Sequence, residues 1–98
     1  MNMQNLMAQA QRMQKDIMQK KEEVEKKIFE GKSELIDVEV NGKKEVVKVN
    51  IKNKDLNGED IEILEDMIMI AINDANKKVD SAMEEAMGAY GGALNGLF

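Results

Sequence analysis

The first 25 residues constrain the fold most, because they form a helical pattern too long for one small body to cover. Residues 2–25 contain no glycine or proline. At 1.5 Å per residue this helix is about 36 Å long, whereas a compact chain of about 100 residues has a radius of gyration of only ~13 Å. Apolar residues recur along it every seven positions, typical of a helix with one apolar stripe: Met3, Ala10, Ile17 and Val24, with Leu6 and Met13 between them.

The middle of the chain predicts three short strands. Residues 27–32 are β-favouring, and residues 35–40 alternate between apolar and polar. Asn41-Gly42 predicts a short hairpin, since both residues tolerate positive φ. The returning strand, 47–51, alternates in the same way, so we expect a half-buried antiparallel sheet. Its apolar positions are Ile36, Val38, Val40, Val47, Val49 and Ile51.

A second helix is predicted over residues 60–87, after a polar turn at 53–58, with Asn57 or Glu59 in the N-cap region. Residues 67–72 are apolar on every side of this helix, so it needs cover on more than one side. Residues 88–98 hold four of the seven glycines and are predicted to be a flexible tail. The fold class is therefore α+β, with helix, three strands and helix in one domain over 1–87.

The surplus apolar surface on both helices predicts a homodimer with twofold symmetry. In a single copy, part of the apolar stripe of the first helix and one apolar side of the second helix would be exposed to solvent. A monomer with a frayed first helix is the alternative. We expect the dimer interface to include Met3, Leu6, Ala10, Met13, Ile17, Met67, Ile68, Ile70 and Ala71.

The chemical inventory argues against catalysis. The chain has no histidine, cysteine or threonine, and its only hydroxyl side chains are Ser33, Ser81 and Tyr90. No imidazole is therefore present to activate a serine. The carboxylates of residues 59, 60, 62, 65 and 66 lack the spacing of a calcium-binding loop and suit the positive end of a helix dipole better. We predict a protein that is not an enzyme, with no cofactor and no metal.

No targeting or membrane segment is predicted. The longest apolar run, 67–72, is far shorter than the ~20 residues of a membrane-spanning helix, and the N-terminus is rich in amides. The expectation is a cytoplasmic protein without a membrane partner.

Charge is distributed unevenly along the chain. The net charge is −5, yet residues 1–54 hold 12 basic and 9 acidic residues whereas residues 55–98 hold 2 and 10. One mildly basic surface could follow DNA phosphates, although such asymmetry also serves solubility alone. Lys20, Lys26 and Lys27 each follow an acid by four residues, so they could instead only solvate the helix. The candidate DNA-binding residues are Arg12, Lys15, Lys20, Lys21, Lys26, Lys27, Lys77 and Lys78.

Three blocks of the sequence resemble the YbaB/EbfC family of bacterial nucleoid-associated proteins. They are MQNLMAQAQRMQ at 3–14, VEVNG at 38–42 with VVKVNI at 46–51, and LEDMI at 64–68 leading into AINDA at 71–75. The resemblance implies an α-β-β-β-α protomer and a tweezer-like homodimer. It also implies binding of double-stranded DNA with little sequence preference, a place in the nucleoid, and a part in nucleoid organisation and gene regulation. The chain departs from the family pattern in its tail, which lacks proline.

A rival hypothesis is a non-catalytic adaptor for a replication or recombination protein. It would use the helices and the apolar tail residues Leu94, Leu97 and Phe98. The adaptor would tolerate loss of Arg12, Lys15 and Lys21, whereas DNA binding would depend on them.

Overall fold

The computed structural model describes residues 2–88. It confirms the order of helix, three-stranded antiparallel sheet and helix. The elements are α1 Met3–Glu25, β1 Ile28–Lys32, β2 Ile36–Asn41, β3 Val46–Ile51, a 3-10 turn Gly58–Asp60, and α2 Ile61–Ala86. Apart from Gly88, the predicted tail at 88–98 lies outside the described residues, together with the adaptor residues Leu94, Leu97 and Phe98. No helix in the described part of the chain is long and apolar enough to span a membrane.

Asparagine side chains begin both helical segments. The Oδ1 atom of Asn2 accepts a hydrogen bond from the Asn5 backbone amide at 2.9 Å. Asn57 Oδ1 accepts from the Glu59 amide, and Asp60 Oδ2 accepts from the Asn57 amide, both at 2.9 Å. This reciprocal capping box satisfies amides that have no partner within the helix. Of the two predicted candidates, Asn57 is a cap, but it caps the 3-10 turn that leads into α2. Asp60 is the N-cap residue of α2 itself.

The core lies between α2 and the first two strands. The sheet order is β1-β2-β3, and α2 packs mainly on β1 and β2. Ile36, Val38 and Val40 of β2 are completely or almost completely buried, as their alternation predicts. They pack against three small residues on one face of α2, namely Ala71, Ala75 and Val79.

The apolar face of β3 is open, contrary to the predicted half-buried face. Val49 pairs with Val38, and Ile51 with Ile36, so the apolar positions do share one face. Because α2 covers the other two strands, Val46, Val47 and Val49 remain 44%, 54% and 48% exposed. A register shift opposite Glu39 and Val40 also places Val47 as an extra residue in the ladder.

The hairpin predicted at Asn41-Gly42 is present, but neither Asn41 nor Gly42 has the positive φ on which the prediction relied. Asn41 ends β2, and its Oδ1 accepts hydrogen bonds from the amides of Lys43 at 2.9 Å and Glu45 at 3.1 Å. The left-handed residue of the longer turn is Lys44, with φ 66°, and no described glycine has positive φ. Asparagine therefore organises the turn through its side chain, and Gly42 is present for another reason.

Helix α1 projects from this body. The chain measures 70 × 21 × 14 Å, with a radius of gyration of 19.3 Å. A compact domain of this length would have a radius of only ~13 Å. Val24, near the end of α1, is the one buried residue of this helix. The remainder of α1 is consequently available to a partner.

Candidate nucleic-acid interface

The cations of α1 lie on more than one side of a largely exposed helix. Arg12, Lys15 and Lys21 are exposed, and Lys20 is half-buried. From the 100° step between successive helical residues, Arg12 and Lys15 lie opposite the stripe that contains Leu6. Lys20 and Lys21 flank that stripe.

The turn after α1 continues this basic surface. Lys26 and Lys27 are exposed, and their backbone amides donate to carbonyl oxygens of the last helical turn. Positive charge is favourable at a helix C-terminus, where the dipole is negative. Lys43, which no sequence pattern singles out, lines a shared groove with Lys26, together with the carboxylates of Glu22, Glu25 and Glu45. Only the attachment of the hairpin to the end of α1, a tertiary feature, brings them together.

Ion pairs divide the cations into two groups. In the described residues, five lysines of the strands, the hairpin and α2 have carboxylate partners within 4.0 Å: Lys32, Lys44, Lys48, Lys52 and Lys78. Three other lysines outside α1 and the turn after it are in none of these ion pairs: Lys43, Lys54 and Lys77. Within residues 2–88, none of these ion pairs includes Arg12, Lys15, Lys21, Lys26 or Lys27. These five side chains therefore keep their hydrogen-bond donors for a ligand.

Lys77 and Lys78 differ in what they contact. Lys77 is exposed, whereas Lys78 Nζ donates to the Glu30 carbonyl oxygen at 2.7 Å and lies 3.7 Å from Asp74. Asp74 Oδ2 in turn accepts from the Lys32 amide at 3.0 Å. The side chains of Asp74 and Lys78 thus form hydrogen bonds with backbone groups at the outer edge of β1. Lys78 has a structural role in the protomer, which leaves Lys77 as the freer phosphate ligand of the two.

The residues predicted for a dimer interface fall into exposed and buried sets. Met3 is 75% and Leu6 44% exposed on α1, and Ile70 is 50% exposed on α2. Ala71 has no exposed surface, since it packs on the sheet. It belongs to the protomer core in this structure. The others are exposed or half-buried: Ala10, Met13, Ile17, Met67 and Ile68.

Carboxylates form no metal centre in residues 2–88. Four carboxylates lie on α1 and equal its four cations in number: Asp16, Glu22, Glu23 and Glu25. Those of residues 59–66 surround the start of α2, where negative charge complements the helix dipole. The described surface therefore carries a projecting helix of balanced charge, followed by Lys26 and Lys27, on an acidic body.

The comparisons with known proteins decide the family. A model of the YbaB/EbfC DNA-binding family matches residues 1–94. The chain belongs to the YbaB/EbfC DNA-binding family. A nucleoid-associated protein of Streptococcus agalactiae is 44% identical over 96 residues, which are 96% of this chain and 97% of the relative. Another, from Ligilactobacillus salivarius, is 32% identical over 99% of this chain and 95% of its own length.

A further relative supports the same assignment. A nucleoid-associated protein of Streptococcus pyogenes is 41% identical over 96% of this chain and 97% of its own length. Near-complete coverage in each case means that the likeness extends over both helices and the sheet of this family member. The predicted resemblance to the YbaB/EbfC family is confirmed.

Proposed function

We propose that this YbaB/EbfC family protein binds double-stranded DNA as a homodimer, with little sequence preference, and that it contributes to nucleoid organisation and gene regulation. The observation that carries the proposal is the set of cations on and next to α1 that form no ion pair within residues 2–88. They lie on an element that projects from an acidic body. Phosphates are the partners that such donors suit.

Little sequence preference follows from the kinds of side chain on α1. Bidentate arginine contacts to guanine are the commonest specific contact, and Arg12 is the one arginine of the chain. The remaining cations are lysines, which bind phosphates as point charges. Contacts to the DNA backbone position a protein without reading bases. The glutamines of α1 could reach adenine edges, but as exposed helical residues they also serve as ordinary polar surface.

Because the net charge of the protein is negative, DNA binding depends on where its cations lie. A chain of −5 gives a dimer of −10, which DNA repels at long range. Attraction must therefore come from individual cations on and next to α1 at short range, within about one Debye length of ~10 Å at 0.1 M salt. Binding is consequently expected to be moderate and strongly dependent on salt.

Exposed apolar surface supports the homodimer. On α2, Ile63 is 51%, Met69 57% and Ile70 50% exposed, and beside α2 the valines of β3 are uncovered. A second copy whose α2 lies over β3 would bury both surfaces, and twofold symmetry would apply the same contact twice. The two α1 helices would then project from one body as a pair.

The proposed function is non-catalytic. Ser33 is one of two serines, and its hydroxyl donates to the Met67 carbonyl oxygen at 2.8 Å. This bond holds β1 to α2. Without histidine or cysteine in the chain, no described group activates a nucleophile in the usual ways.

Fluorescence anisotropy of labelled duplexes tests DNA binding. We expect random and AT-rich duplexes to bind with similar affinity. The logarithm of the binding constant should fall against the logarithm of salt concentration with a slope of about −3 to −6, from four to six neutralised phosphates. A protein of confirmed dimeric mass that binds neither duplex at low salt would contradict the proposal.

Light scattering tests the homodimer at micromolar concentration. We expect twice the 11.0 kDa chain mass, and we expect Ile70→Glu to shift the protein toward one chain mass, because a charge cannot be buried unpaired. Gln19→Glu is the matched control, since it adds the same charge at an exposed position of α1 on the side opposite the apolar stripe. A wild-type mass of one chain would overturn the paired arrangement.

A further inference from the structure

Helix α1 is fixed to the body only near its C-terminal end. Val24 is 3% exposed, whereas Met3 is 75% and Met7 60% exposed. Lys20, Val24 and Lys27 line a groove together with Ala82 and Ala86 near the end of α2. The direction of α1 is consequently determined by the contacts of its last turns.

Gly42 of the hairpin forms the closest of these contacts. Its amide donates to the Glu25 carbonyl oxygen at 3.1 Å, one of the terminal carbonyls that have no partner within the helix. A Cβ atom placed on Gly42 would overlap the Val24 carbonyl oxygen. The obstacle is backbone, so no side-chain rotation could relieve the overlap.

A left-handed backbone conformation is not the reason for a glycine at position 42. No described glycine has positive φ, and Lys44 supplies the left-handed residue of this turn. An alanine at position 42 is therefore compatible with the hairpin itself. The backbone of α1 lies too close to position 42 to leave room for the alanine Cβ atom. Glycine is therefore needed at this position for the attachment of α1 and not for the turn.

We propose that Gly42 is a positioning residue that sets the direction of α1 and thereby aligns its cations with DNA. The inference rests on the proposed function for its consequence in DNA binding. Arg12 lies 13 residues before Glu25, about 20 Å along the helix. A tilt of about 10° at Gly42 moves it by ~3 Å, close to the ~3.4 Å rise of one base pair. In a dimer, misdirected helices lose simultaneous contact with one duplex.

Spin-label distances test the direction of α1 without DNA. The chain has no cysteine, so Gln9→Cys on α1 and Lys54→Cys on the body give one label pair. An excess of unlabelled protein restricts the measurement to distances within one chain. We expect Gly42→Ala to shift or broaden the distance distribution by several Å, about the displacement calculated above. Gly58→Ala is the matched control, since a Cβ there meets nothing within 4 Å.

DNA binding gives the functional readout for the same variants. Gly42→Ala should weaken duplex binding about tenfold through lost simultaneous contact and reduce its salt dependence, with the helix content of the circular dichroism spectrum unchanged. Gly58→Ala should bind as the wild type does. A folded Gly42→Ala protein with the wild-type distance distribution would overturn the proposal.

Val24→Ala decides the question if Gly42→Ala does not fold. This change removes the buried side chain of the same attachment and leaves the hairpin backbone intact. A broadened distribution in folded Val24→Ala supports the proposal, and an unchanged one refutes it. Since the distances are measured without DNA, loss of DNA binding in the wild type would refute the proposed function and leave this result interpretable.

Discussion

Changing Arg12, Lys15 and Lys21 together to glutamine should weaken duplex binding about 100-fold at low salt and flatten its salt dependence, because each lost phosphate contact removes about one unit of slope. All three side chains are exposed. They take part in no ion pair within residues 2–88. Glutamine keeps a good helix propensity, so α1 itself should persist. Anisotropy titrations at several salt concentrations measure both effects.

The control must separate local charge from total charge. Lys32, Lys48 and Lys54 changed to glutamine give the same change in net charge, from −5 to −8 per chain, on the strands and the loop after β3. If the location of the cations matters, this control should lose only the small affinity due to long-range repulsion. Equal losses in the two triple variants would show that α1 has no special role.

The order of the elements was predictable from the sequence because each one has its own local pattern. Freedom from glycine and proline indicates α1, and alternation at Ile36, Val38 and Val40 indicates β2. The cap at Asn57 follows from side-chain chemistry over three residues. Such signals need no knowledge of the rest of the chain. They also sufficed for the family resemblance, which the comparisons confirmed.

The predictions that were wrong concern residues whose neighbours in space come from distant parts of the chain. Gly42 follows Asn41 as in a tight hairpin, but its neighbour in space is α1. The β3 valines alternate like those of β2, but α2 is too narrow to cover three strands. Lys78 follows Lys77 in sequence, yet only Lys78 reaches the backbone of β1. A sequence pattern can predict the apolar face of a strand or the position of a turn. It cannot predict which distant part of the chain packs against that face or turn.

Gly31 lies as close to a helix backbone as Gly42 does, but at the centre of the fold. Its substitution is expected to have the largest effect on stability. A Cβ at Gly31 would overlap the Ala71 carbonyl oxygen and lie 2.7 Å from Ala75 Cβ. The glycine and the two alanines therefore let α2 approach β1 closely. A close approach of this kind also sets the reach of Asp74, which accepts from the Lys32 amide at 3.0 Å.

Gly31→Ala is accordingly expected to destabilise the protein by about 3 kcal/mol, the upper part of the usual range for overpacking a core. Since small domains have only ~5–15 kcal/mol in total, the thermal midpoint should fall by roughly 12–24 °C. Denaturation followed by circular dichroism at one protein concentration measures the change, because oligomerisation makes the midpoint depend on concentration. Gly58→Ala, whose Cβ meets nothing within 4 Å, should leave the midpoint almost unchanged. A Gly31→Ala midpoint equal to that of Gly58→Ala would mean that α2 can move away from β1 at little cost, and the close helix–sheet contact would then not be what holds the fold together.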